Sequence, residues 1–447
     1  MIMDSMNDIY EEYGISPEIR TLFEQASQRC ADRFARIDAA AETHEFRVIR
    51  AMQHAGLSER HFLPATGYGY DDAGRQASEQ IFAEVFGAEA ALVRPHISSG
   101  THAISLALYG VLRPGDELYC PAGAPYDTVR TFIGAQGQES GSGTLSDFGV
   151  TYNQTELRDD GTIDIAVMLQ NLKPETKMVY LQRSTGYSWR PALTLTQIGE
   201  AAAAVHEVRP DIVVFTDNCY GEFLDTAEPP AVGVDLIAGS LIKNPGGGFA
   251  PTGGYVAGRA DLVELAACRL AAPGVAGETG ATLNFNRTLL EGFFIAPTVT
   301  AAALKSAVLA GEVYQTLGYA VCPEPDAYRS DIIESIRLGD PEAVKTFCRA
   351  IQEAAPVDSF VTPEPWDMPG YEDQVIMAAG AFIQGSSIEM SADAPMKEPW
   401  IVYFQGGLTH AHGKLGLMLS VQRLADAGLI GPDLIQSSIR KQEDLPE

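Results

Sequence analysis

Apolar residues recur at helical spacing near the start of the chain: Ile19, Phe23, Ala26 and Cys30, then Phe34, Ile37 and Ala41. That spacing predicts helices over residues 1–60. Gly67, Gly69 and Gly74, set among aromatic residues, break the pattern over 61–75 and predict a loop. A helix over 76–87, a short strand at Ala90–Pro95 and a helix at Ala103–Leu112 follow. Gly115 to Cys120 begins another turn and strand.

Three later runs are β-rich: Met178–Gln182, Ile212–Thr216 and Leu236–Ile242. Continuous apolar strands alternating with helices predict an α/β fold, with a mostly parallel sheet covered by helices on both faces. A helix over 287–317 is expected to lead to a smaller C-terminal α+β domain. That domain has helices near 341–354, strands near 375–390 and 400–405, and a last helix after His412. The expected division is an N-terminal helical segment at 1–60, a large domain at 61–315 and a small domain at 316–447.

Composition narrows the function classes. The chain has 447 residues, 46% hydrophobic and 20% charged, which is ordinary globular usage for a large core plus an appended domain. A net charge of −28 argues against a nucleic-acid partner, which needs clustered Lys and Arg, and disfavours anionic membranes. No uninterrupted apolar run reaches the roughly 18–20 residues of a membrane span. Met1 to Arg20 lacks the layout of a signal peptide. The six cysteines are scattered without a CxxC pair, so reduced thiols in a cytoplasm are expected, with no disulfide framework and no metal site.

Candidate chemistry centres on Ser-Leu-Ile-Lys-Asn-Pro-Gly-Gly-Gly, residues 240–248. Lysine is rarely buried without a compensating partner. Lys243, just past an apolar strand, is either a strand-end surface lysine or the Schiff-base lysine of pyridoxal phosphate. Asp217 ends the run 212–216, at the carboxyl end of a strand where ligands of parallel sheets bind. It reads as a turn or cap aspartate, or as the partner of a pyridine nitrogen. Ser98-Ser99-Gly100-Thr101 lies between a strand and a helix. Its free N–H groups and hydroxyls cap the helix or hold a phosphate, with Ser240 a further donor. Tyr126 follows the next strand, either as a packed loop residue or stacked on a cofactor ring and donating a proton. His96 and His102 give no zinc pattern. Gly246-Gly247-Gly248 lacks the ending of a P-loop. Cys219 reads as a structural thiol.

Taken in order, a phosphate cup, a stacking tyrosine, an aspartate and a lysine resemble fold-type I pyridoxal-phosphate enzymes. The stretches 67–75, 93–103, 183–191, 217–223, 239–255 and 405–410 closely resemble the methionine gamma-lyase-like family, also labelled aluminium-resistance or cystathionine beta-lyase-like, within the Cys/Met-metabolism enzymes. The likeness spans about residues 60–420. It implies Lys243 as the Schiff base, Asp217 as the pyridinium partner and Tyr126 as the stacking residue. Gly100, Thr101 and Ser240, with Ser99, become phosphate ligands. It also implies a homotetramer of dimers that share active sites. The superfamily's Tyr–x–Arg contact to the neighbouring subunit is here Tyr68-Gly69-Tyr70, so Tyr68 keeps the role and the arginine is missing. The superfamily's C-terminal carboxylate-binding arginine has no counterpart over 400–420, which leaves Arg183 or Arg329 to bind substrate.

The expected activity is γ- or β-elimination on an amino acid with a thiol, thioether or halide leaving group. Lys243 removes the Cα proton, its pKa lowered by burial and the nearby cofactor. Replacement, transamination or racemisation, and a non-catalytic metal-tolerance protein, are the alternatives.

Overall fold

The computed structural model describes residues 2–135, 141–368 and 371–440. The chain forms two compact units. One comprises Ala40–Thr298 with the tripeptide Arg329–Asp331; the other comprises the residues up to Ala39, Val299–Tyr328 and the chain from Ile332 on.

The first unit is built on seven strands: β1 (Ala90–Arg94), β2 (Glu117–Cys120), β3 (Thr151–Gln154), β4 (Thr176–Gln182), β5 (Val213–Asp217), β6 (Leu236–Ser240) and β7 (Gly254–Gly258). Their order is β1-β7-β6-β5-β4-β2-β3. Strands β6, β5, β4, β2 and β3 run parallel; β7 is antiparallel to both β6 and β1. Successive side chains of a strand point to opposite faces. Met178 and Tyr180 of β4 therefore join one apolar cluster, with Phe215 and Ala238, and Val179 and Leu181 join the other, with Val214 and Ile237. Both faces are covered, which is why these strands read as unbroken apolar runs.

The carboxyl ends of the parallel strands are aligned. Gln182 lies in register with Asp217, and Asp217 with Ala238. Strand β6 stops at Ser240, so Leu241, Ile242 and Lys243 lie beyond the sheet edge.

The second unit holds an antiparallel sheet of β8 (Ala320–Cys322), β9 (Ile333–Arg337), β10 (Val375–Ala378), β11 (Ser391–Pro395) and β12 (Ile401–Gln405), in the order β10-β11-β12-β9-β8. The N-terminal helix Pro17–Arg29 belongs to this unit, burying Ile19, Leu22, Phe23 and Ala26 in its core. The strand expected over 375–390 ends at Ala378. One helix, Asn286–Thr316, is long and apolar enough to cross a membrane on length and composition, although no uninterrupted apolar run signals it. In that window 72% is buried within the protein, as in the core helix of a globular fold.

Candidate active site

The site is built from loops that leave the carboxyl edge of the seven-stranded sheet. Gly100 opens the helix Gly100–Val111, whose first turn presents free N–H groups. A Cβ at Gly100 would stand 3.3 Å from Cys219 Sγ and 3.4 Å from Ser240 Cβ, so the helix start packs closely on β6 and the loop after β5. Ser99 Oγ caps the helix by accepting from the His102 N–H at 3.1 Å, and its own O–H remains a donor. Thr101 Oγ1 shares a 2.8 Å hydrogen bond with Thr128 Oγ1. That contact joins the cup to the helix Asp127–Ile133, whose N-cap is Tyr126. The Tyr126 N–H donates to Gln182 Oε1 at 2.7 Å, which sets it over the strand ends next to Asp217.

Asp217 is buried at the end of β5. Its Oδ1 accepts from the Cys219 N–H at 3.1 Å and its Oδ2 from Tyr180 Oη at 3.2 Å. Burial pushes its pKa above the usual range, opposed by Lys243, the Cys219 amide and Tyr180. Half-buried Lys243 sets its Nζ 3.9 Å from the centroid of the Tyr220 ring, a cation–π distance. Burial alone would lower the lysine pKa. Cys219, Tyr220, Asp217 and Glu222 around it outweigh that, so it is raised. The expected lowering is thus not supplied by the protein's own groups. Physically, it is the Asp217 carboxylate that favours the ammonium, since burial holds the Cys219 thiol well above its ordinary pKa and therefore neutral.

Lys243, Asp217, Ser240, Gly100, Ser99, Thr101 and Tyr126 therefore gather at one strand edge. Two residues stand apart. Tyr68 is 74% exposed and stacks on Tyr70 at 5.6 Å between ring centroids. Arg183 is 0% exposed; its guanidinium donates to Ser330 Oγ at 3.0 Å, Asn218 Oδ1 at 2.8 Å and Glu228 Oε2 at 3.3 Å. Through Nε and Nη1 Arg183 braces the loop after β5, while its Nη2 has no hydrogen-bond partner among the described residues. Arg329, 8% exposed, lies in the tripeptide that belongs to the same unit. Ser330 on Arg183 and Asp331 on the Thr185 N–H (2.9 Å) fasten that tripeptide beside the loop following β4. Tyr187 of that loop lies 5.6 Å from Tyr126, ring to ring.

The donor set fits pyridoxal phosphate: an amine for the aldehyde, a buried acid for the ring nitrogen, and a helix start with hydroxyls for the phosphate. Residues 19–425 match the methionine gamma-lyase family. The chain belongs to that family. An uncharacterized protein of Bacillus subtilis, YnbB, is 48% identical over 394 residues, covering 88% of this chain and 93% of its own. A crystal structure from Clostridium novyi, described as a carbon-sulfur lyase involved in aluminum resistance, is 45% identical with a TM-score of 0.91, over 94% of this chain and 99% of that one. The pyridoxal-phosphate-dependent protein YhfS of Escherichia coli, at 18% identity and a TM-score of 0.58 over 87% of this chain and 97% of that one, shares the fold.

Sequence reasoning missed Tyr220, Tyr180, Thr128 and Glu222. Tyr220 and Glu222 stand in the quoted stretch 217–223, where an acid in an otherwise buried run was the available signal. Tyr220 adopts φ +70, a left-handed conformation that bulky residues seldom take and that clusters at functional sites. Nothing in the sequence marks that.

Proposed function

We propose that this chain is a pyridoxal-phosphate-dependent carbon–sulfur lyase that eliminates a thiol or thioether from an amino acid. The observation that carries the reading is the meeting of Lys243, Asp217 and the Gly100–Ser240 cup at one strand edge. Family membership and the description of the Clostridium structure support it.

Lys243 would hold the cofactor covalently and, once displaced by the substrate amine, move the Cα proton. Asp217 would keep a charge beside the ring nitrogen, oriented by Tyr180 and the Cys219 amide. The N–H groups of Gly100 and Thr101, with the hydroxyls of Ser99, Thr101 and Ser240, would hold the phosphate. When bound, the cofactor supplies an electron sink for the negative charge that develops at Cα. Tyr126 would lie against its ring and assist departure of the sulfur. Arg329 is the arginine assigned to the substrate carboxylate, since Arg183 is already committed. Tyr68, exposed, is the residue offered to the site of a neighbouring subunit.

The test is spectroscopic and chemical. The purified protein should carry a visible absorption band that Lys243→Ala removes. Thioether amino acids should yield ammonia and a 2-keto acid. Absence of the band overturns the reading; a new thioether in place of the keto acid replaces elimination by exchange.

A further inference from the structure

Polar contacts fasten the loop that follows β4. Gln182, buried at the end of that strand, holds two loops at once. Its Oε1 accepts from the Tyr126 N–H at 2.7 Å, and its Nε2 donates to the Ser184 carbonyl at 3.2 Å. Arg190 closes the loop from its far end, donating to the Ser184 carbonyl at 2.7 Å and the Gln182 carbonyl at 3.3 Å. Thr185 Oγ1 shares its proton between the carbonyls of Ser188 and Arg190, at 2.6 and 2.7 Å. Gly186 turns the chain at φ +59, and a Cβ there would stand 2.8 Å from Gln182 Nε2 and 3.6 Å from the Tyr126 ring. Both the turn and the close approach call for glycine. The loop backbone thus lies on the Gln182 amide and along the edge of Tyr126.

The next side chain, Tyr187, is half-buried, with its ring centroid 5.6 Å from that of Tyr126 and the planes at 56°. Among the described residues it belongs to neither apolar cluster that covers the sheet, whereas Tyr126 packs at the margin of one. The contacts of its loop reach in two directions. On one side Gly186 meets Tyr126, the residue set against the cofactor ring. On the other, the Thr185 N–H donates to Asp331 Oδ2 at 2.9 Å, two residues from Arg329, the arginine for the substrate carboxylate.

We propose that Tyr187 is a specificity-determining residue, its ring forming the wall against which the group on the substrate sulfur packs. Gln182 is the positioning residue that holds Tyr187 and Tyr126 in one arrangement. A loop tied to both the ring and the carboxylate arginine presents its aromatic side chain to whatever projects from Cα. An aromatic wall favours an apolar, polarizable sulfur, because thioethers make good contacts with ring edges. A charged group there would give up its water for an apolar face. The substrate class that fits is an amino acid whose sulfur carries a small alkyl group, ahead of the free thiol. Fixing the wall in advance adds to the preference, since little ordering is left for the binding step.

This inference rests on the lyase reading, and the experiment separates their failures. The holoenzyme is assayed with pairs that differ by one S-methyl group: methionine against homocysteine, and S-methylcysteine against cysteine. The ratio of kcat/KM, methylated over free thiol, should fall about tenfold in Tyr187→Ala, chiefly through KM, as expected for one methyl group in an apolar pocket. Tyr187→Phe, which keeps the ring, should hold the ratio. Binding gives a readout without turnover. α-Methylmethionine has no Cα proton to lose, and its dissociation constant, titrated on the visible band, should rise about tenfold in Tyr187→Ala. Gln182→Leu, which loses both bonds, should move the ratio in the same direction. Gln182→Glu keeps the acceptor for the Tyr126 N–H and should recover part of it. A Gln182→Leu protein that loses stability and keeps the ratio would overturn the positioning role. If keto acid forms and the ratio in Tyr187→Ala stays within about twofold of wild type, Tyr187 does not meet the substrate: the inference is overturned and the lyase reading stands. If no pair yields keto acid, the lyase reading fails and takes the inference with it. Were Tyr187→Ala not to fold, Tyr187→Gln, which keeps the bulk and loses the ring, carries the same test.

Discussion

Arg183 and Glu228 are buried together, with Asn218 hydrogen-bonded to both. Removing one member of such a pair leaves an uncompensated buried charge, which costs about 3–5 kcal/mol. Burial pushes the Glu228 carboxyl up, and Arg183 is the main force opposing it. Arg183→Met should therefore destabilise the protein by about that amount in urea unfolding. Adding Glu228→Gln should recover part of the loss, because the orphaned charge is gone. A substrate arginine would behave otherwise, changing the Michaelis constant with stability kept. Glu228→Gln making Arg183→Met worse would contradict the brace assigned to this pair.

At the scale of the element, the Lys243 loop is held by backbone contact with a helix. In Asn286–Thr316, a Cβ at Gly292 would overlap the Gly246 carbonyl oxygen and come within 3.1 Å of Phe249 Cβ. At Gly247, φ +55 and the Gly292 carbonyl exclude a side chain as well. Gly292→Ala should therefore push the loop off its seat and lower stability by about 1–3 kcal/mol, as overpacking of a rigid contact does. Weakened cofactor binding should accompany it, measured by equilibrium dialysis. Gly431→Ala, where the added Cβ meets nothing within 4 Å, is the control and should leave both unchanged. This contact also shows where sequence reasoning ran out. The helix over 287–317 was legible in the sequence, and Lys243, Asp217 and Gly100 from residue type at strand ends. That Gly292 exists for Gly246 was not, because one glycine in a helix does not name its partner. Strand β7, short and bounded by Gly254 and Gly258, gave no apolar run long enough to read as a strand. Arg183 and Arg329 looked alike for the same reason: burial of a guanidinium depends on residues far away in sequence.

Across the whole molecule, ionisable groups held away from their ordinary pKa values make stability depend on pH in two opposing ways. His44 and His410, one in each unit, are lowered by burial from 6.5 to about 4. Between those values the unfolded chain binds protons that the folded protein refuses, so stability falls as pH drops from 6.5 toward 4. Glu222 works in the other direction. Its folded pKa of about 8 exceeds the 4.5 of an exposed glutamate, so between them the folded state binds the extra proton. Its contribution is therefore greatest at low pH and is lost as pH rises from 4.5 to 8. Each proton difference changes stability by about 1.4 kcal/mol per pH unit. Two histidines against one glutamate give a net gain as pH rises to 6.5. Above that only the Glu222 slope remains among these three. The contribution of these three groups to stability should thus peak near pH 6.5. Glu222→Gln should flatten the decline toward pH 8 and steepen the acid limb, because the two histidines are then unopposed between pH 4.5 and 6.5. His410→Gln should make the acid limb shallower and leave the decline above pH 6.5 as it is. Melting curves of the three proteins across this range decide it: a decline toward pH 8 that survives intact in Glu222→Gln would mean that the raised carboxyl lies elsewhere.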